Sequence, residues 1–431
     1  MKICILLLSL TLPLASCLTT KVDFRKINLA DTSISFQNHT FNDFASAFKT
    51  LHPEEAYNLA ETDAQKTVAK ALGYIMQNRY ENAVETFVSA MTEKDSLDML
   101  WRYFPNFYYY TIAYNWEKLE KYESSSKNYQ ESYFAFYSDK PGFKIEFLED
   151  SVIVPIEFSR GFVRGRTIIK IKINGKFYSF LIDTGCSKTV IGKNIAKQNN
   201  IVYENRELTG RSFVGNITLF SSVLSELDLG QIKISNFPIA VINSNDAVRG
   251  KFLFITFFKC DGIIGWDLLS KFDFTLDYKN KQLVLRKPIK KDIEQRNLFW
   301  YYVPIIKFYS NDYPILAFFD TGSSLNYFYQ HPTLSKILEI NATNKKRNKK
   351  FYAVSDEQLP YRKEKYYKYM NFQCYTIANN EISCFFANEI LLGENKWNIY
   401  PINIDFLLGS SWFKNKAIRV DMLNGIFEIS E

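Results

Sequence analysis

Two aspartates in this chain stand at the ends of apolar runs and are each followed by Thr-Gly. The stretches are Phe180-Leu181-Ile182-Asp183-Thr184-Gly185-Cys186-Ser187 and Phe318-Phe319-Asp320-Thr321-Gly322-Ser323-Ser324. A buried strand that ends in such a turn delivers a carboxylate to a defined place. One carboxylate in a turn has a modest use, capping backbone N–H groups. Two brought within a few Å of each other do more. Like charges that close cannot both ionise, so the pair retains one proton across a wide pH range. One carboxylate is then a base for a water and the other an acid for a carbonyl, which is what amide hydrolysis requires without a metal or a covalent nucleophile. Which member takes which part belongs to the coupled pair.

The elements that would position the two carboxylates repeat as well. Ile173-Asn174-Gly175-Lys176-Phe177-Tyr178 leads into Asp183, and Ser310-Asn311-Asp312-Tyr313-Pro314-Ile315 leads into Asp320. Both read as hairpins turning at Asn-Gly or Asn-Asp and returning as the strand that carries the aspartate. Downstream, Ile263-Ile264-Gly265-Trp266 matches Leu407-Leu408-Gly409-Ser410, and the match runs without a gap to Asp277 and Asp421. The aspartates are 137 apart (320 − 183) and the later glycines 144 apart (409 − 265), so the second copy holds seven more residues between its signatures. This is an internal duplication.

On these residues the chain resembles the aspartic peptidases of the pepsin and retropepsin superfamily, in the two-lobed bacterial form, over about residues 150 to 431. The resemblance implies one Asp-Thr-Gly turn per lobe and a later apolar-apolar-Gly strand through which that turn is threaded. It implies Asp183 and Asp320 as the catalytic dyad. Thr184 and Thr321 would hydrogen-bond across the lobe interface, and Gly185 and Gly322 would leave room at the carboxylates. Ser323 matches the family's hydroxyl on the outer oxygen of its aspartate, while Cys186 takes that place in lobe one, where a thiol donates weakly. A flap is expected in Gly210-Arg211-Ser212-Phe213-Val214-Gly215, with Phe213 as its candidate residue; pepsins place a tyrosine there, and this chain has none between Tyr203 and Tyr278.

The start of the chain, Met1-Lys2-Ile3-Cys4-Ile5-Leu6-Leu7-Leu8, reads as a secretory signal, and Leu14-Ala15-Ser16-Cys17 resembles the bacterial lipoprotein box, with Cys17 as the lipidated residue. The expected location is the bacterial cell envelope, on its periplasmic or outer side, with the membrane reached only through the lipid anchor. Residues 18–50 read as an extension. Over 51–140 the spacing is helical: Ala71, Tyr74, Tyr80, Ala83, Phe87 and Ala90 return as Ala113, Trp116, Tyr122, Ser125, Tyr129 and Ser132, 42 residues later. Those offsets resemble tetratricopeptide repeats, although their usual period is about 34. Such a module either grooves a protein partner or supports the body it packs on. Lobe one is expected over 148–286 and lobe two over 296–431.

Composition suits a folded, exported protein of mixed class, helical first and mostly β after it: 47% of residues are hydrophobic and 16% aromatic. A net charge of +7 over 431 residues does not point to nucleic acid. Only three histidines exist, and no Cys-x-x-Cys or His-x-x-x-His pair offers a zinc site, so neither metal nor other cofactor is expected. The basic run Lys345-Lys346-Arg347-Asn348-Lys349-Lys350 reads as a solvated loop, and Cys374 and Cys384 flank a turn as a candidate disulfide. The reading is an aspartic endopeptidase acting on polypeptide, with a non-catalytic exported lipoprotein scaffold that binds peptide or partner protein as the alternative.

Overall fold

The structure is a computed structural model describing residues 41–90, 103, 143–159, 166–212, 215–252, 255–301, 303–310, 313–323, 326–329, 347–352, 361–378, 381–393 and 402–430. From residue 144 on it is almost entirely β. Strands Thr167–Ile173 and Lys176–Ile182 form the first predicted hairpin, turning at Asn174 (φ 48°) and Gly175 (φ 80°). Two consecutive positive φ values define the tight turn whose twist matches that of paired strands, which is why Asn-Gly stands there. Strands Val303–Ser310 and Tyr313–Asp320 repeat the hairpin in lobe two, with Ser310 opposite Tyr313.

Each aspartate strand then pairs in parallel with its lobe's later glycine strand. Ile182 lies beside Ile264 of Gly262–Ile264, and Asp320 beside Gly409 of Phe406–Gly409. Each glycine strand is in turn antiparallel to a third, Val190–Gly192 in lobe one and Tyr327–Tyr329 in lobe two. The two lobes therefore thread their aspartate turns alike.

A shared sheet joins them, in the order Ile426–Ser430, Ala417–Asp421, Asp273–Asp277, Gln282–Arg286, Ser151–Phe158. Asp273 and Asp277 correspond by the duplication to Ala417 and Asp421 (417 − 273 = 421 − 277 = 144), and these equivalent strands pair with each other, Asp273 opposite Asp421 and Asp277 opposite Ala417. The pseudo-twofold axis runs through that pair. Arg419 answers the acids the register collects, at 2.9 Å from Asp273, 3.6 Å from Asp421 and 3.1 Å from Glu428.

Among the described residues four helices precede the strands: α1 (Phe44–Lys49), α2 (Pro53–Asn58), α3 (Asp63–Met76) and α4 (Tyr80–Ala90). A capping box starts α3, with Gln65 N–H donating to the Thr62 hydroxyl at 3.2 Å and the Thr62 N–H donating to the Gln65 side chain at 3.3 Å. The apolar side of this unit, including Phe48, Val68, Leu72, Ala83 and Phe87, shares one core with Phe299, Tyr301, Ile305, Leu316, Phe318 and Leu407 of lobe two. Polar ties reinforce it: Asn78 donates to the Leu298 carbonyl at 2.9 Å, and Trp300 N–H to the Tyr80 hydroxyl at 2.7 Å. Of the two roles left open for the helices, support of the catalytic body fits this packing. The expected repeat over 113–132 falls outside the described residues, and one helical hairpin is not a repeat; the leader and Cys17 also lie outside them.

Two expectations change. Arg347–Tyr352, which contains most of the basic run, is a strand paired with Tyr361–Ala378 at the edge of its sheet. In the hairpin of Tyr361–Ala378 and Glu381–Gly393, Cys374 stands opposite Phe385 and Cys384 opposite Tyr375. Three residues separate Cys374 from Ala378 but two separate Glu381 from Cys384, so the cysteines are one step out of register, and successive strand positions face opposite sides.

Candidate functional site

Asp183 ends its strand with its N–H bonded to the Ile264 carbonyl at 3.0 Å, so the glycine strand holds the turn at its base. Its Oδ1 accepts from the N–H groups of Gly185 at 3.0 Å and Cys186 at 3.1 Å. In lobe two the N–H of Ser323 donates to Asp320 Oδ1 at 3.0 Å. The Cys186 thiol donates to the Lys188 carbonyl at 3.0 Å, while the backbone N–H groups of Gly185 and Cys186 hold the Asp183 carboxylate. Burial, then the charge of Asp183, push the thiol well above its usual range.

The two turns lock together through their threonines. Thr184 N–H donates to the Thr321 hydroxyl at 3.0 Å, and Thr321 N–H to the Thr184 hydroxyl at 2.9 Å. Each hydroxyl then donates onward into the opposite lobe, Thr184 to the Phe319 carbonyl at 2.8 Å and Thr321 to the Ile182 carbonyl at 3.0 Å. Both threonines are buried, where unmet donors and acceptors are costly, so the four bonds fix the turns against each other.

The glycines show what this lock achieves. A Cβ on Gly185 would stand 2.6 Å from Asp320 Cγ, and one on Gly322 would fall on the Asp183 carboxylate itself. Each lobe's glycine thus lies against the other lobe's carboxylate, and no larger residue leaves that carboxylate its place. The chain carries an aspartic-protease-like domain. Residues 169–271 match the family model described as gag-polyprotein putative aspartyl protease, a segment that includes Asp183 and its later glycine strand. A search of curated proteins found no match to the chain.

In this aspartic-protease-like arrangement both carboxylates are shifted upward. Burial raises Asp183, while its hydrogen bond with Asp320, the charge of Arg166 and the N–H groups of Gly185 and Cys186 lower it. Burial raises Asp320 well above the carboxylate range, and the charge of Asp183 and the hydrogen bond with it raise it further. Two buried carboxyls this close hold one proton between them, as a property of the pair.

Several residues that the motif reading passed over hold this geometry. Thr189 and Asn326, 137 apart, accept the N–H of Gly265 at 3.1 Å and of Gly409 at 3.0 Å. Asp261 and Asp405, 144 apart, accept the N–H of Ser179 at 2.9 Å and of Leu316 at 3.0 Å, in the middle of each aspartate strand. The duplication offsets themselves would have found both pairs. Arg166, beside the dyad, has no such signal. Phe213 lies outside the described residues; the hairpin that leads to it, Tyr203–Ser212 with Gly215–Asp228, pairs up to Ser212 opposite Gly215.

Proposed function

We propose that the protein is an aspartic endopeptidase in which Asp183 and Asp320 hydrolyse a peptide bond of a polypeptide substrate. The observation that carries the reading is reciprocal: each turn glycine faces the opposite carboxylate, and the crossed threonine bonds hold them there. The ionised member of the pair takes a proton from a water as that water attacks the peptide carbonyl, and the protonated member gives its proton to the carbonyl oxygen. The tetrahedral product collapses when a proton returns to the leaving nitrogen and the C–N bond breaks. Neither a metal nor a covalent intermediate is called for. An extended peptide suits the site, since Tyr203–Ser212 is the edge strand of its sheet and has backbone groups for strand-like pairing.

The test is cleavage of an unfolded protein by the full chain between about pH 4 and 7, with Asp183→Asn and Asp320→Asn alongside. Each substitution should lower the rate by about 10³-fold or more. Cutting that survives in either variant, or that a metal chelator removes, would overturn the assignment; binding of peptide without any cutting by the native chain would favour the scaffold.

A further inference from the structure

Arg166 sits 17 residues ahead of Asp183, one position before strand Thr167–Ile173. Its backbone is clamped, its N–H donating to the Ser159 hydroxyl at 3.1 Å and its carbonyl accepting the Ser159 N–H at 3.0 Å. Two steps beyond Ile168 opposite Leu181, the register of its hairpin brings position 166 level with Asp183, and the charges of Asp183 and Asp320 raise the guanidinium pKa that burial lowers. Yet its Nε is buried with no hydrogen-bond partner, and no ion pair holds the guanidinium among the described residues. A guanidinium nitrogen buried without a partner is costly and rare. A guanidinium also presents a planar fork of donors that fits a carboxylate, and the catalytic carboxylates beside it do not fill that fork.

The duplication makes the placement one-sided. The residue 137 positions on is Val303, a buried apolar side chain in the corresponding strand. Lobe two thus has no cation at the position equivalent to Arg166.

Resting on the peptidase reading, we propose that Arg166 is a specificity-determining residue that receives a carboxylate of the polypeptide substrate on one side of the scissile bond. In a polypeptide that carboxylate belongs to a Glu or Asp side chain or to the chain end. Binding it satisfies the orphaned guanidinium, and the neutral isostere leaves that group unmet.

Matched octapeptides test this, apolar at the centre, with a single Glu moved through the flanking positions and Gln in its place, each made with an amidated and a free C-terminus. With the full chain, Glu should be favoured over Gln by about tenfold in kcat/KM at one position on one side of the cut, mostly through KM. If the free C-terminus alone brings the gain, the chain end is the ligand. Arg166→Met should bring the ratio to about one, and Arg166→Lys should keep part of it. Equal cutting of the Glu and Gln series, amidated and free, by the native chain overturns the proposal. So does a preference that survives in Arg166→Met, or a substitution that moves the pH profile and leaves the ratio alone. Binding of the same peptides to the full-length Asp183→Asn chain separates the two readings. Tighter binding of the acidic peptide there, with no cutting by the native chain, upholds Arg166 and sinks the peptidase; equal binding sinks Arg166 whatever is cut.

Discussion

Six residues past its carboxylate, lobe one has Thr189 and lobe two has Asn326, and both put an oxygen on the N–H of the later glycine. Behind them the lobes part. Thr189 donates to Asp267 at 2.8 Å, and Asp267 faces the buried Lys188 at 3.7 Å. Asn326 donates to Ser411 at 3.0 Å, with Ser411 in the place of Asp267. The same split recurs nearer the strand centres. Asp261 is tied to Lys259 at 3.2 Å, whereas burial pushes its counterpart Asp405 up to about 7, against the Leu316 N–H that lowers it. Holding a turn requires an acceptor at one point in space. It does not require a charge, and the lobes have diverged in charge while the acceptor stayed in place.

The glycines should be the strongest test, since there the lobes are alike. Gly185→Ala and Gly322→Ala should each abolish cutting and lower stability by several kcal/mol, roughly the range for overpacking a close contact. Loss of activity in one lobe's variant and not the other would break the symmetry argued from the threonine lock. Next comes the support behind the later glycine, where the lobes should differ. Asp267→Asn takes the charge from the acceptor of the Thr189 N–H and hydroxyl and should cost about 1.5–3 kcal/mol in denaturant unfolding. Ser411→Ala removes one neutral hydrogen bond and should cost about 1 kcal/mol. Equal costs would mean that charge is irrelevant to the support.

A further difference between the lobes is in pH. A carboxyl in an unfolded chain releases its proton near about pH 3.9, and Asp405 in the fold does so at about 7. Below pH 4 both states hold the proton and the group leaves stability unchanged. Between pH 4 and 7 the unfolded state alone loses it, so stability falls across that window and stays low above it. Asp405→Asn removes the effect, and its melting temperature relative to the native chain should rise as pH goes from 4 to 7. Asp261→Asn should cost up to about 1 kcal/mol through the loss of its partly exposed ion pair with Lys259. A flat difference for Asp405→Asn would show that the carboxyl is better hydrated than its burial implies.

The hairpins at Asn174-Gly175 and before Tyr313, the paired Asp-Thr-Gly turns and the later glycine strands were all legible, because strand alternation and turn chemistry are local. Even the crossed threonines followed once two equal turns had to meet about an axis. Less legible were Thr189 with Asp267 and Asn326 with Ser411, since each pair differs in residue type and only its offset repeats. The cysteine hairpin shows how one residue of loop asymmetry moves a register that spacing alone suggests.

The sequence by itself determined the duplication and, through it, a pair of carboxylates on equivalent turns. Tertiary structure decided what surrounds them. The helices cover lobe two, with Phe48 and Leu72 on the core of Phe318 and Leu407. Arg166 stands in lobe one where Val303 leaves lobe two apolar, and Asp405 is buried while Asp261 finds a lysine. Such differences depend on which distant segments pack together and how much water they exclude, and burial sets the cost of a charge.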